Sequence, residues 1–285
     1  MRQGGDPVKF GATSVSIVSD GTLLLDGGSV FGQVPKSLWE LHMKPDRKNR
    51  VRLGLNCLLI QTPSTNILVD TGVGSKRTER LKDAYGLNGN KLLKGLKKEG
   101  LSARDIDVVV LTHLHFDHSG GCTKLDRSGN AVPTFPKAKY LVQRACWEEA
   151  NNPNERSQYA YQEEDFLPLE ESGVLTLLDG DTEIIPGVTA KVTHGHSDGH
   201  QIVLVEAGSE RIAYLGDLIP TSYHLPPPNI AAFDQYPNDT LAEKRQILST
   251  AIDRGWLLIF GHAFEQRAGY VEQRNGRSQF TLKDI

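Results

Sequence analysis

Nowhere among the 285 residues do about eighteen apolar residues stand in a row, so the sequence offers no membrane-spanning helix. The start, MRQGGDPVKF, also lacks the apolar core of a secretory leader. Cysteine is scarce. Cys57, Cys122 and Cys146 are widely spaced and odd in number, which argues against a disulfide framework and suits a reducing compartment. A cytoplasmic protein is therefore expected. Neither sign of charge dominates: 32 basic and 35 acidic residues leave a net charge of −3, with no electrostatic footprint for nucleic acid. Lys91, Lys94, Lys97 and Lys98 do cluster, but on an amphipathic stretch where they read as a solvated helix face. Repeats are absent, as is any linker that would divide the chain, so residues 1–285 are expected to form a single domain.

The elements come in two batches. SVSIVSDGTLLLD reads as two short strands about an Asp20-Gly21 turn, and LNCLLIQT and NILVDTG as a second pair about Pro63-Ser64. Leu92, Leu93 and Leu96 mark a helical stripe that Gly100 stops, and Ser102 and Asp105 outline a short helix start before the strand DVVVLT. KYLVQ reads as a strand and ACWEEA as a helical turn, followed by a polar insertion from Asn151 to Ser172. Strand signals return in VLTLLDG, TEIIPGVTAKVT, HQIVLVEAG and RIAYLGD. The loop HLPPPNIAAFDQYP leads to the helix TLAEKRQILSTAID, with Asp239 or Thr240 as N-cap. WLLIFGH is a buried strand, and Asn275-Gly276 turns a last hairpin. Two sheet-rich halves, each covered by helices, predict an α/β fold of four αββα layers.

The chemistry concentrates in VLTHLHFDHSGG. An apolar strand delivers the chain to His113, His115, Asp117 and His118, and Ser119-Gly120-Gly121 follows. Residues two apart on an extended segment project to the same side, so His113 and His115 can share one ion, while the turn redirects Asp117 and His118. Imidazole with carboxylate suits zinc, iron, manganese or cobalt rather than calcium. Further donors stand at other strand ends: His194, His196 and His200 in VTHGHSDGHQIVLV, Asp217 after Gly216, and His262 after Gly261.

These residues resemble the metallo-β-lactamase superfamily, with its H-x-H-x-D-H loop, later His, Asp and final His. The resemblance implies two divalent metal ions, zinc first, with His113, His115 and His196 on one, Asp117, His118 and His262 on the other, and Asp217 bridging both. It also places Asp70 of LVDTG behind the ligands and makes His200 a brace, and leaves His194 without a role. Longer segments, among them DGGSVFGQVPKSLWE, NRVRLGLNCLLIQT and GDLIPTSYHLPPP, are similar to the branch holding N-acyl homoserine lactonases and methyl parathion hydrolase. Gly261 and Ala263 around His262 depart from the acid-His-Asp form of many relatives.

A bridging hydroxide between two such ions would open a lactone, ester or phosphoryl centre. Asp117 is the candidate proton shuttle, and Tyr223 and His224 are the candidates to assist the leaving group. Phe31, Val34, Trp39, Phe116, Phe233 and Tyr236 are expected to wall an apolar pocket, with VFGQVPKSLW and the Pro226-Pro228 loop at its rim. The partner is a small ester or lactone rather than nucleic acid or membrane, and the branch implies a homodimer contact in the amino-terminal segment. The competing readings are a phosphotriesterase or aryl esterase on the same metals, a nuclease, a redox di-iron protein, and a metal-binding protein without catalysis.

Overall fold

The computed structural model describes residues 8–76, 78–274 and 277–282. Two seven-stranded sheets lie face to face. The first takes its strands in chain order: Val8–Phe10, Thr13–Asp26, Arg50–Gln61, Asn66–Val69, Val108–Val110, Lys139–Gln143 and Leu175–Leu178. Pairing is antiparallel as far as Asn66–Val69 and parallel beyond it. The second sheet runs Thr182–Ile185, Val188–Val192, Gln201–Ala207, Glu210–Tyr214, Leu257–Ile259, Ala268–Arg274 and Arg277–Leu282. Its one parallel pairing joins Glu210–Tyr214 to Leu257–Ile259 across the helix Pro237–Arg254.

Strand Arg50–Gln61 shows why these segments read as unbroken apolar runs. Leu58 and Ile60 enter the core between the sheets, where they join Val203, Ile212 and Tyr214. Cys57 and Leu59 face the other way, against Leu92 and Leu96 of the helix Leu92–Lys98 and Trp147 and Phe166 of the later helices. A strand buried on both faces has no polar face to alternate. The second sheet is covered on its outer side by Ile247, Leu248 and Ala251 of Pro237–Arg254. The order of layers is therefore helix, sheet, sheet, helix, as expected. All three cysteines are buried and free. Among the described residues no helix is long and apolar enough to cross a membrane.

Three local readings are corrected. Asp20-Gly21 is not a hairpin turn but a bulge within the single long strand Thr13–Asp26, whose register to Arg50–Gln61 shifts between Ser19 and Gly21. The buried Asp20 carboxylate accepts from the backbone N–H groups of Gly74, Lys91 and Leu92 and so ties two segments to the bulge. Ser102 and Asp105 close a turn without starting a helix: Asp105 accepts from the Ser102 backbone N–H and hydroxyl, and the chain then extends. The last helix begins at Pro237, with Tyr236 as N-cap, so Asp239 lies in its first turn and Thr240 turns its hydroxyl to Asp234. The Asn275-Gly276 turn and the MRQGGDP start lie outside the described residues.

Candidate metal centre

The ends of both sheets meet at one place. The chain leaves Val108–Val110 and presents His113 and then His115, the latter on extended backbone, before it turns through the short helix Phe116–Ser119, which carries Asp117 and His118. His196 comes from the loop between Val188–Val192 and Gln201–Ala207, Asp217 follows Glu210–Tyr214, and His262 follows Leu257–Ile259. Backbone bonds from Gly54 N–H to His262 O and from Gln201 N–H to Thr112 O, each 2.9 Å, fasten one sheet to the other here. Gly216 has φ +48°, and a Cβ there would come within 2.8 Å of His200 Nε2, so glycine is required just before Asp217.

Three groups of donor atoms converge: His113, His115 and His196; His113, His118 and Asp217; and Asp117, His118 and His262, each within 4.8 Å of one another. Asp217 stands between the outer two. Its Oδ1 lies 3.2 Å from His118 Nε2 and 3.1 Å from His262 Nε2, while Oδ2 lies 3.3 Å from His196 Nε2.

Hydrogen bonding behind the rings fixes which nitrogen faces inward. His118 Nδ1 donates to Asp70 Oδ2 at 2.8 Å, His196 Nδ1 to Asp234 Oδ1 at 2.9 Å, and His262 Nδ1 to Gly54 O at 2.9 Å. Thr112 spends its hydroxyl proton on Asp70, so it accepts from His113 Nδ1 at 3.0 Å. Each of these four imidazoles is thus left with an Nε2 lone pair aimed into the cluster. His118 Nε2 and His262 Nε2 face each other at 3.0 Å, and His196 Nε2 faces His115 Nδ1 at 3.1 Å. His113 Nε2 and Asp217 Oδ1 are buried without a hydrogen-bond partner. Lone pairs brought this close repel unless a positive charge lies between them. The donor set therefore fits divalent metal ions of the zinc type.

The electrostatics agree. Burial works against charge on every ring, but the carboxylates of Asp217, Asp70 and Asp117 outweigh it at His118 and lift its pKa well above 6.5. His196 and His262 are raised too, where Asp217, with Asp234 or Asp117, outweighs burial. At Asp217 burial is outweighed by His262, His118 and His196, which hold the carboxyl well below its ordinary range. His113 and His115 go the other way, driven well down by burial first and then by neighbouring imidazoles. The cluster is a hole for positive charge.

Asp70 lies directly behind His118, with φ +60°, an uncommon conformation for a residue bearing a Cβ. Its carboxylate also accepts from Thr112 N–H and from Tyr214 OH. His200 donates from Nδ1 to Thr193 Oγ1 at 2.7 Å and accepts the Asp217 backbone N–H on Nε2 at 3.1 Å, so it holds the Asp217 backbone. His194 is exposed.

A cleft of ≈ 240 Å³ opens over the cluster. His115, Asp117, His196, Asp217 and His262 form its floor, and Leu25, Val30, Leu53, Phe116, Pro220 and Phe233 much of its wall. Phe116 and Phe233 line it, whereas Phe31, Val34, Trp39 and Tyr236 do not. Phe31 is stacked beneath the wall, between the Trp39 ring at 5.2 Å and the His224 ring at 5.3 Å. The rim is formed by Ala231, Ala232, Phe233 and Gln235, just beyond the Pro226-Pro228 run.

Tyr223 is not beside the cluster. Its ring packs against His42 at 5.1 Å in a second, more polar cleft with Arg52 and Phe264. His224 borders the main cleft but both its nitrogens are engaged: Nε2 donates to Val30 O at 2.9 Å and Nδ1 accepts from Thr221 Oγ1 at 2.7 Å. Burial drives its pKa down to about 4. It therefore builds the wall and has no proton to lend. Sequence reading missed Asp234, Thr221 and Arg156, which lie on irregular segments that carry no periodic signal.

The sequence model described as the metallo-β-lactamase superfamily matches residues 50–262. The N-acyl homoserine lactonase of Bacillus cereus is 28% identical over 239 residues, covering 78% of this chain and 86% of that protein. The structure of a probable metal-dependent hydrolase from Staphylococcus aureus superposes with a TM-score of 0.89 at 30% identity, over 98% of this chain and 99% of that one. An N-acyl homoserine lactone hydrolase, solved with the product N-hexanoyl-L-homoserine at its catalytic metal centre, gives 0.68 at 25% identity, over 88% and 94%. With the inward lone pairs, the two sheets and these likenesses in agreement, the chain belongs to the metallo-β-lactamase superfamily and is a metal-dependent hydrolase.

Proposed function

We propose that this hydrolase works with two divalent metal ions, zinc in the first place, and opens lactones of the N-acyl homoserine type. The observation that carries the dinuclear reading is the single carboxylate, Asp217, set between two groups of imidazoles at the foot of an apolar cleft. His113, His115 and His196 would hold one ion, Asp117, His118 and His262 the other, and Asp217 both. Iron, manganese and cobalt accept the same donors. Ions held there lower the pKa of water toward neutrality and polarise a scissile carbonyl.

The chain's own residues do the rest. Leu25, Val30, Phe116 and Phe233 take the alkyl part of the substrate out of water and leave its polar end on the floor. Asp117, half-buried on the cleft floor with Oδ2 3.6 Å from His262 Nε2, is positioned to pass a proton from the attacking water to the leaving alkoxide. An apolar wall over a polar floor suits a molecule with an acyl tail and one reactive ester. The lactonase relatives support that class.

The test is a substrate panel run beside metal analysis of the same preparation. Acid release from N-acyl homoserine lactones of several chain lengths is titrated against turnover of an aryl ester and a paraoxon-type phosphotriester. Lactone opening as the fastest reaction, with two equivalents of metal, is expected. Robust ester or phosphotriester turnover with no lactone opening would replace the substrate reading but keep the metal one.

A further inference from the structure

The wall of the cleft and the floor are joined by one buried carboxylate. Asp234, 3% exposed, lies on the loop between Ser222–His224 and the helix Pro237–Arg254. Its Oδ1 accepts from His196 Nδ1 at 2.9 Å and its Oδ2 from the Thr240 hydroxyl at 2.7 Å. Its chain neighbours Ala232, Phe233 and Gln235 line the cleft. The two residues after it are bonded to the segment that carries His196: Gln235 N–H to His196 O at 3.2 Å and Tyr236 N–H to Gly195 O at 2.8 Å.

The rest of the loop is pinned independently of the metal ligands. Buried Lys244 donates to Pro226 O at 3.1 Å and to Asn229 O at 2.6 Å, and Ala232 N–H donates to Ser29 O at 2.9 Å. Arg156 reaches over from the polar insertion to donate to Ala232 O at 2.7 Å and Asp234 O at 3.1 Å. The stretch around Phe233 is thus held by Arg156 and by the Gln235 side chain, which bonds Glu149 and Asn154, while Asp234 alone among its side chains is hydrogen-bonded to one of the clustered imidazoles.

We propose that Asp234 is a positioning residue that makes His196 and the cleft wall around Phe233 one mechanical unit, so that metal occupancy and the order of that wall rise and fall together. The inference rests on the place proposed above for His196 in the metal site. The physical reason is reciprocal. A cation drawing on His196 Nε2 makes its Nδ1–H a stronger donor and tightens the bond to Asp234. Whatever orders the loop, such as an acyl chain packed on Phe233, must by linkage raise metal affinity by the same factor.

The experiment uses the zinc-loaded full chain and two readouts besides activity. Zinc affinity is measured by competition with a chromophoric chelator, and amide hydrogen exchange is followed over residues 226–236 with zinc bound and after chelation. In the wild type, removal of zinc should speed exchange across 233–236 by about tenfold or more, while the independently pinned residues 229–232 and Arg50–Gln61 stay protected. Asp234→Ala should weaken one of the two zinc ions by about 10–100-fold, leave the other unchanged, and abolish the response of the loop to zinc. Asp234→Asn, which keeps an acceptor for His196, should recover most of that affinity. Should Asp234→Ala fail to fold, Thr240→Val removes only the donor to Oδ2 and should cost one zinc ion several-fold in affinity. Two tightly bound zinc ions with a zinc-insensitive loop, or variants with wild-type affinity for both ions, would overturn the inference and leave the metal reading standing. A wild type that binds no zinc would overturn both.

Discussion

Asp217 has one carboxylate oxygen facing His118 and His262 and the other facing His196. No single imidazole has that reach. Asp217→Asn keeps the shape but removes the charge that offsets burial of the cluster. It should lower turnover by about two to four orders of magnitude and strip bound metal, read as kcat together with metal content per chain. Full hydrolysis with two equivalents of metal would contradict the shared-ligand assignment. Tyr223 gives the opposite expectation. Its ring faces His42 in the second cleft, so Tyr223→Phe should leave kcat and KM for any accepted ester within about twofold. These two residues also mark how far single positions can be read from sequence. The donor residues were legible because apolar strands end in them, and only a few chemistries need three imidazoles and a carboxylate together. Tyr223 was misread because six residues of separation from Asp217 do not say on which side of the turn Ser222–His224 a ring emerges. Asp234 gave no signal at all: an acid in a proline-rich loop looks like a turn residue until His196 is placed behind it.

At the scale of elements, runs buried on both faces were the readable ones, because LNCLLIQ and WLLI have no alternation to misinterpret. The bulge was not. Asp20-Gly21 has the composition of a hairpin turn, yet Gly21 at φ +127° serves to bring the strand against Asn88, where a Cβ would overlap the carbonyl oxygen. A partner distant in sequence converted a turn signal into a bulge. The helix Pro237–Arg254 contributes a pH dependence of its own. Burial lowers the pKa of Lys244 to about 7, against 10.5 for the ordinary side chain. Between those values the unfolded chain carries the proton and the native one does not, so this residue's contribution to stability rises with pH above about 7 and is flat below it. Urea denaturation at about pH 6 and about pH 9 should show wild type gaining on the order of 2 kcal/mol relative to Lys244→Met. An unchanged difference between the two proteins would mean that the ammonium is not penalised in its pocket.

For the whole molecule, the four layers followed from the order of strand and helix signals, whereas the strand pairings needed coordinates. Parallel contacts such as Val69 with Val110 join segments some forty residues apart, and no local pattern specifies them. The same topology has a practical side. Every strand of the first sheet precedes Asp179, and every strand of the second follows Gly180, an exposed turn. The donors divide in the same way: His113, His115, Asp117 and His118 in one part, His196, Asp217 and His262 in the other. A chain cut at Gly180 would therefore yield two pieces, neither of which holds all the donors proposed for the metal ions. Mixed together, they should regain hydrolysis with zinc and not after chelation, checked by turnover across a zinc titration. Co-elution of the two pieces without added metal would show that the apolar faces suffice to join them. On the proposed metal reading, a divalent cation would be the joint at which the two parts of the chain are held together.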